Sequence, residues 1–145
     1  MIAIGSDHGG FALKAEIKEH LKSRGAEYKD FGTFTDESCD YPVYGNYVGT
    51  AVASGECEKG IVICGTGIGI SITANKVKGI RAALCGDCFS AEMARRHNDA
   101  NVLALGARVI GTGLALMIVD IFLNTPFDAG RHEKRIDMIR ETENK

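Results

Sequence analysis

Several features that would assign this chain of 145 residues to a familiar class are missing from it. It has no run of basic residues and a formal net charge of only −2, so nucleic acid is not its expected partner. No apolar stretch approaches the roughly 20 residues that a membrane-spanning helix needs, so no membrane partner is expected. The N-terminus enters a strand-like run at once, without a signal-peptide pattern. The five cysteines are an odd count and lack the spacing of a secreted disulfide framework. A reducing cytoplasm is the expected compartment. Repeats, linkers and low-complexity segments are absent too. What remains, 45% hydrophobic and 25% charged, is the composition of an ordinary soluble protein, long enough to bury a core as one domain over residues 1–145.

What is present alternates between two periodicities. Short apolar runs at Ile2–Gly5, Ala26–Phe31, Gly60–Cys64, Ile80–Leu84 and Asn101–Leu105 read as strands, and Ala107–Ile110 as a short extension of the last. Between them lie helical patterns. Phe11–Arg24 carries Phe11, Leu13, Ile17 and Leu21 at helical spacing, and Gly25 stops it. Asp40-Tyr41-Pro42 opens a helix running to about Ser54, with Asp40 as cap and Pro42 in the first turn. Further helices follow the glycine turn after Cys64, to about Lys76, and a cap at Asp87 or Ser90. Thr112–Leu123 is a strongly apolar helix ended by Pro126. An amphipathic helix from about Arg131 to Arg140 closes the chain. Strands apolar along their whole length, alternating with helices, imply a parallel sheet covered on both faces. Ligands of such sheets bind beyond the carboxyl ends of the strands, at a topological switch point.

The polar clusters follow that rule. Asp7-His8 comes after the first strand, and Cys64-Gly65-Thr66 after the third, while His97-Asn98 ends a helix leading back into the fifth. In GIVICGTGIGIS, a buried strand delivers Cys64 into the turn Gly65-Thr66-Gly67-Ile68-Gly69 at a helix start. Amides there approach a ligand with no Cβ in the way, and the positive helix end suits an anion. The turn is not a Walker loop, because no Gly-Lys-Ser/Thr follows, and its GxGxG spacing is not the dinucleotide fingerprint. Cys64 is either a small buried hydrophobe or a general base beside an anion cradle. Asp7-His8 and His97-Asn98 read equally as helix-end polar groups or as proton-moving pairs. Arg131 and Arg135, four apart on one helix face, suit a phosphate but also a solvated surface; Arg108 either adds to such a clamp or pairs with an acid. Cys85-Gly86-Asp87-Cys88 is a CxxC without the rest of a redox pattern or a second pair of metal ligands.

Taken together, the motifs resemble the type B ribose-5-phosphate isomerase family, which includes the subunits of galactose-6-phosphate isomerase. The likeness is carried by GSDHGG with the helix FALKAEIKEHL, then DYPVYG, GIVICGTGIGISITANK, GIRAAL, ARRHNDANVLALGARVIG and GRHEKR, in one order over nearly the whole chain. It implies a Rossmann-like three-layer α/β/α sandwich on a mainly parallel sheet of about five strands. It also implies an aldose–ketose isomerase of ribose 5-phosphate and ribulose 5-phosphate that needs no metal or other cofactor. Such an enzyme is a homodimer or tetramer with each site shared across an interface. By resemblance Cys64 is the base at the carbon beside the carbonyl, Thr66 moves protons between the two oxygens, and the Gly65–Gly69 backbone, Ile68 included, holds the enediolate. His97 opens the sugar ring, Asp7 contacts sugar hydroxyls and Asn98 the substrate. His8, Arg131 and Arg135 take the phosphate, with Arg108 a further contributor, so the last helix (about 131–142) becomes a phosphate-binding element. Some relatives replace the cysteine by a glutamate from elsewhere; this chain keeps Cys64. The alternatives are a six-carbon sugar-phosphate isomerase, a sugar-phosphate-binding module without catalysis, and a redox protein using Cys85 and Cys88.

Overall fold

A computed structural model describes residues 1–145. The elements, in chain order, are β1 (Ile2–Ser6), a 3₁₀ turn (His8–Gly10), α1 (Phe11–Ser23), β2 (Tyr28–Asp30), α2 (Tyr41–Ala53), β3 (Lys59–Cys64), α3 (Ile68–Asn75), β4 (Ala82–Leu84), α4 (Cys88–Arg96), β5 (Val102–Gly106), α5 (Thr112–Asn124) and α6 (Arg131–Glu143). The strands form one sheet in the order β2-β1-β3-β5-β4, and every pairing is parallel.

Side chains alternate across the sheet, and the two faces differ in size. Ile2, Ile4, Ile61, Ile63, Leu103 and Leu105 point to one face, where α1, α4 and α5 cover them with Ile17, Leu21, Ala91, Ile118 and Phe122. The other face carries smaller groups, Ala3, Val62, Cys64 and Ala104, under α2 and α3. Small residues let α2 lie close: a Cβ on Gly60 would stand 2.6 Å from Val48 Cγ1, and one on Gly5 2.8 Å from Val48 Cγ2. Helix α6 adds a strut outside these layers. Only His132 and Ile136 of it are buried, and Glu143 accepts a hydrogen bond from the Gly79 amide at 2.9 Å.

Some expectations need correction. Ala107–Ile110 is a turn rather than a strand extension. Val109 and Ile110 both donate to the Gly106 carbonyl, which reverses the chain, while the Ala107 and Arg108 amides donate to Cys64 and Gly65. The edge strands β2 and β4 are shorter than their apolar runs; the Arg81 amide, for instance, is taken by the Asn101 side chain at 2.8 Å. Asp40 occupies the cap position of α2 without a side-chain cap bond, although Pro42 does lie in the first turn. Asp87, not Ser90, caps α4, accepting from the Ser90 amide at 2.6 Å.

One buried ion cluster ties β2 to α1. Lys14 is 1% exposed and donates to Asp30 at 2.7 Å and to the Thr33 carbonyl; Lys18 reaches the other Asp30 oxygen at 2.9 Å. Burial alone would raise the Asp30 pKa. Hydrogen bonds from Lys14, Lys18 and the Gly32 amide outweigh it, so the carboxyl lies below its ordinary value. Burial pulls the Lys14 ammonium down; the hydrogen bond and charge of Asp30 offset that only in part, and the neighbouring Lys18 charge lowers it further. A folded-state pKa below the unfolded one stabilises the fold above the ordinary carboxylate value of about 3.9, and that contribution fades as pH falls through the lowered pKa. Asp30→Asn should therefore cost about 3–5 kcal/mol in denaturant unfolding at neutral pH, because two ammonium groups lose their counter-charge. It should also flatten the acid limb of the stability curve. An unchanged midpoint would contradict the pairing.

Candidate active site

The switch point of this sheet lies between β1 and β3, because the chain leaves β1 for β2 on one side and continues from β3 to the other. Two loops meet there. Cys64 ends β3 with 5% exposure, and its Sγ accepts a hydrogen bond from the Gly67 amide at 3.1 Å. Gly67 sits at φ +77°, a left-handed conformation that glycine adopts freely, and it starts α3 without a side-chain cap. Thr66 Oγ1 accepts from the Ile68 amide at 3.2 Å. The Gly65 and Thr66 amides donate to no protein acceptor, leaving free N–H groups beside the thiol.

From β1 comes the 3₁₀ turn. Asp7, 7% exposed, caps it by accepting from the Gly10 amide at 3.1 Å through Oδ1, while Oδ2 has no protein donor. His8 Nδ1 accepts from the Cys39 amide at 3.2 Å, which assigns the ring proton to Nε2. Arg108 joins the two loops. Its guanidinium nitrogens would stand 3.1 Å from a Cβ on Gly65 and 3.6 Å from one on Gly9, and it forms no ion pair with an acid of this chain. A free guanidinium over unpaired amides is an anion site.

The remaining expected residues lie at the other edge of the sheet. His97 is the C-cap of α4, and the chain then enters β5 at Val102, whereas Cys64 pairs with Gly106 at the far end of that strand. Four residues of strand separate the two ends by about 13 Å before the loops are counted. At the amino edge His97 stacks on His132, with ring centroids 4.3 Å apart and planes 12° apart. Asp128 stands beside them, 3.6 Å from Arg96. Burial lowers the pKa of His132, and the charges of His97, Arg131 and Arg135 lower it further against the pull of Asp128. Asn98, Arg131 and Arg135 are exposed here. The structure thus brings together Cys64, Gly65–Gly69, Asp7, His8 and Arg108, and separately His97, Asn98, Arg131 and Arg135. Within one chain it does not bring the two sets into contact.

Residues 2–139 match the family model described as Ribose/Galactose Isomerase. The chain belongs to that family. It is 54% identical over 142 residues to ribose-5-phosphate isomerase B of Escherichia coli K12, covering 98% of this chain and 95% of the relative. The structure of ribose-5-phosphate isomerase B from Clostridium thermocellum superposes with a TM-score of 0.98 at 60% identity, covering 99% of this chain and 97% of the other. The Mycoplasma genitalium enzyme, solved with bound ribulose-5-phosphate, gives a TM-score of 0.95 at 42% identity, covering 99% and 96%. The chain is therefore an enzyme of the sugar-isomerase class on an all-parallel α/β sandwich.

In this isomerase the loop is held by contacts that leave no signal in the sequence. A Cβ on Gly69 would fall 2.5 Å from the Tyr41 ring, one on Gly67 2.5 Å from Leu84 Cδ1, and one on Gly106 2.5 Å from the Thr66 carbonyl. Tyr41 belongs to the DYPVYG motif, whose spacing does not reveal that α2 lays it on Gly69. His132 lies in GRHEKR between the two arginines, where the sequence carries no signal of its stacking on His97. All five cysteines are free thiols. Burial, then the Asp87 charge, pushes the Cys85 thiol up to about 11, so the CxxC holds a poor nucleophile.

Gly106→Ala should displace the Thr66 carbonyl, which is backbone and cannot swing aside. A misplacement near 1 Å can cost about 10²-fold in rate. The expected outcome is a kcat loss of that order with a far-ultraviolet spectrum unchanged. Wild-type kcat would show that loop position does not govern activity.

Proposed function

We propose that the chain interconverts D-ribose 5-phosphate and D-ribulose 5-phosphate through a cis-enediolate. The observation that carries this reading is the Cys64 thiol beside free amides of the glycine loop, with the unpaired Arg108 overhead. The three relatives described above bear the name ribose-5-phosphate isomerase B, and the structure of one of them holds ribulose-5-phosphate.

His97 opens the furanose ring by moving a proton between the ring oxygen and the anomeric hydroxyl. Cys64, as thiolate, then removes the C2 hydrogen of the free aldehyde. The electron pair moves into the C1–C2 bond and the carbonyl oxygen becomes an oxyanion, held by the Gly65–Gly69 amides. Donors of this kind are worth about 2.7–4 kcal/mol each in a measured case. Thr66 passes the hydroxyl proton from O2 to O1, and Cys64 returns its proton to C1, giving the ketose. General acid–base transfer contributes about 10²–10⁴-fold. Asp7, through Oδ2, engages sugar hydroxyls, and Asn98 contacts the substrate. His8, Arg108, Arg131 and Arg135 take the phosphate, whose binding orients the reacting carbons. The steps use these side chains and the loop amides, without metal or other cofactor.

Because His97 and the two arginines lie at the opposite edge from Cys64, a second copy of the chain must supply them, giving a homodimer or a dimer-based tetramer. Ile68, Leu84, Phe89 and Val109, exposed large hydrophobics around the carboxyl edge, suit such a contact. Helix α5 instead buries Ala115, Ile118, Val119 and Phe122 in its own core. The whole chain works as one isomerase domain, with α6 as its phosphate-binding part. Five thiols without disulfide spacing fit a cytoplasmic enzyme.

Five- and six-carbon aldose phosphates assayed for ketose formation test the substrate; ribose 5-phosphate should be turned over fastest, and preference for allose or galactose 6-phosphate would replace it. Cys64→Ala should lose at least about 10²-fold in kcat and the exchange of the C2 hydrogen with heavy water, while still binding substrate. Full exchange in that variant would remove Cys64 as the base. Binding without exchange in the wild-type protein would mark a module without catalysis.

A further inference from the structure

Asp128 and His132 take no part in the proposed reaction, yet they stand beside His97, which does. The donor atoms of His97, Asp128 and His132 all lie within 4.8 Å of one another. We propose that these three side chains bind one divalent transition-metal ion of the zinc, nickel or cobalt class, and that its binding stops turnover by engaging His97. The second half rests on the role given to His97 above; the first does not.

Two imidazoles and one carboxylate are a donor set for borderline metals rather than for magnesium or calcium, which favour oxygen ligands. Three such donors around one tetrahedral ion at about 2.0–2.2 Å stand roughly 3.3 Å apart. Closing 4.8 Å to that spacing requires the two imidazoles to turn out of their stack so that their nitrogens converge on the ion. The backbone that carries the donors is fixed. The His97 amide donates to Met93 at 2.8 Å, the Asp128 amide to the Arg96 carbonyl at 3.0 Å, and the His132 amide to Ala129 at 3.1 Å. His132 is 9% exposed, and its ring is already stacked on that of His97.

Cations oppose the ion. Arg96 contacts Asp128 at 3.6 Å, and Arg131 and Arg135 are neighbours of His132 on α6. Their repulsion falls equally on every divalent ion, so only metals that bond strongly to imidazole overcome it. The same arginines remain free for a phosphate while the metal sits on the histidines. Metal should consequently lower kcat for the cyclic sugar and leave KM little changed.

The test titrates the metal-stripped full-length protein with zinc, nickel and cobalt chlorides by calorimetry, cobalt also by its visible absorption, and measures turnover in parallel. One ion per chain is expected, weakened at least about tenfold in His132→Asn and in the exposed-site variant Asp128→Asn, and unchanged in Cys64→Ala. Zinc should lower kcat, EDTA should restore it, and Asp128→Asn should resist zinc relative to its own metal-free rate. No stoichiometric binding, or binding lost in Cys64→Ala rather than in His132→Asn, would overturn the site. Binding with undiminished turnover would overturn the switch. A protein inactive on every sugar phosphate would still show the calorimetric signal, so the site stands or falls apart from the substrate assignment.

Discussion

Parallel pairing of all five strands is the constraint from which the site's layout follows. It sends every strand's carboxyl end to one edge and every helix-to-strand return to the other. Cys64 ends a strand and Asp7 directly follows one, whereas His97 ends a helix, so the fold holds them at opposite edges. No rotamer or loop adjustment spans a strand of that length. The chain alone therefore offers a thiol beside unpaired amides at one edge and two histidines near two arginines at the other.

The cradle depends in turn on what the sheet lacks. Its α2/α3 face carries glycine, alanine and valine where the opposite face carries isoleucine and leucine. Gly60 and Gly5 bring α2 down onto the strands, and α2 brings Tyr41 over Gly69. Gly106 lets the end of β5 pass under the Thr66 carbonyl. These close approaches fix the loop from three sides and leave the Gly65 and Thr66 amides without a protein acceptor, the preorganisation that the proposed oxyanion would use. The buried Lys14–Asp30–Lys18 cluster does comparable work beyond β2, where the Lys14 ammonium holds the Thr33 carbonyl at the head of the segment that presents the Cys39 amide to His8.

Much of this was legible in the sequence, for definite reasons. Fully apolar strands alternating with amphipathic helices signalled the parallel sheet, and GIVICGTGIGIS marked the strand-turn-helix that carries Cys64. Cross-chain packing was not legible. Ala107–Ile110 has the apolar character of a strand but turns on the Gly106 carbonyl, and composition does not record a reversal. Asp40 has the identity of a cap without making the bond. His132 is one of four histidines, and only the placement of α6 against the end of α4 gives it a partner. Residues that act through their neighbours' position leave no motif.

The central claim, that a working site takes Cys64 from one chain and His97 from another, is tested most directly by subunit mixing. Cys64→Ala and His97→Asn proteins, each inactive alone, are combined under conditions of subunit exchange and assayed with ribose 5-phosphate. In a symmetric dimer each hybrid has one intact site, so an equal mixture should recover about a quarter of wild-type activity. No recovery, with subunit exchange verified independently, would contradict the shared site.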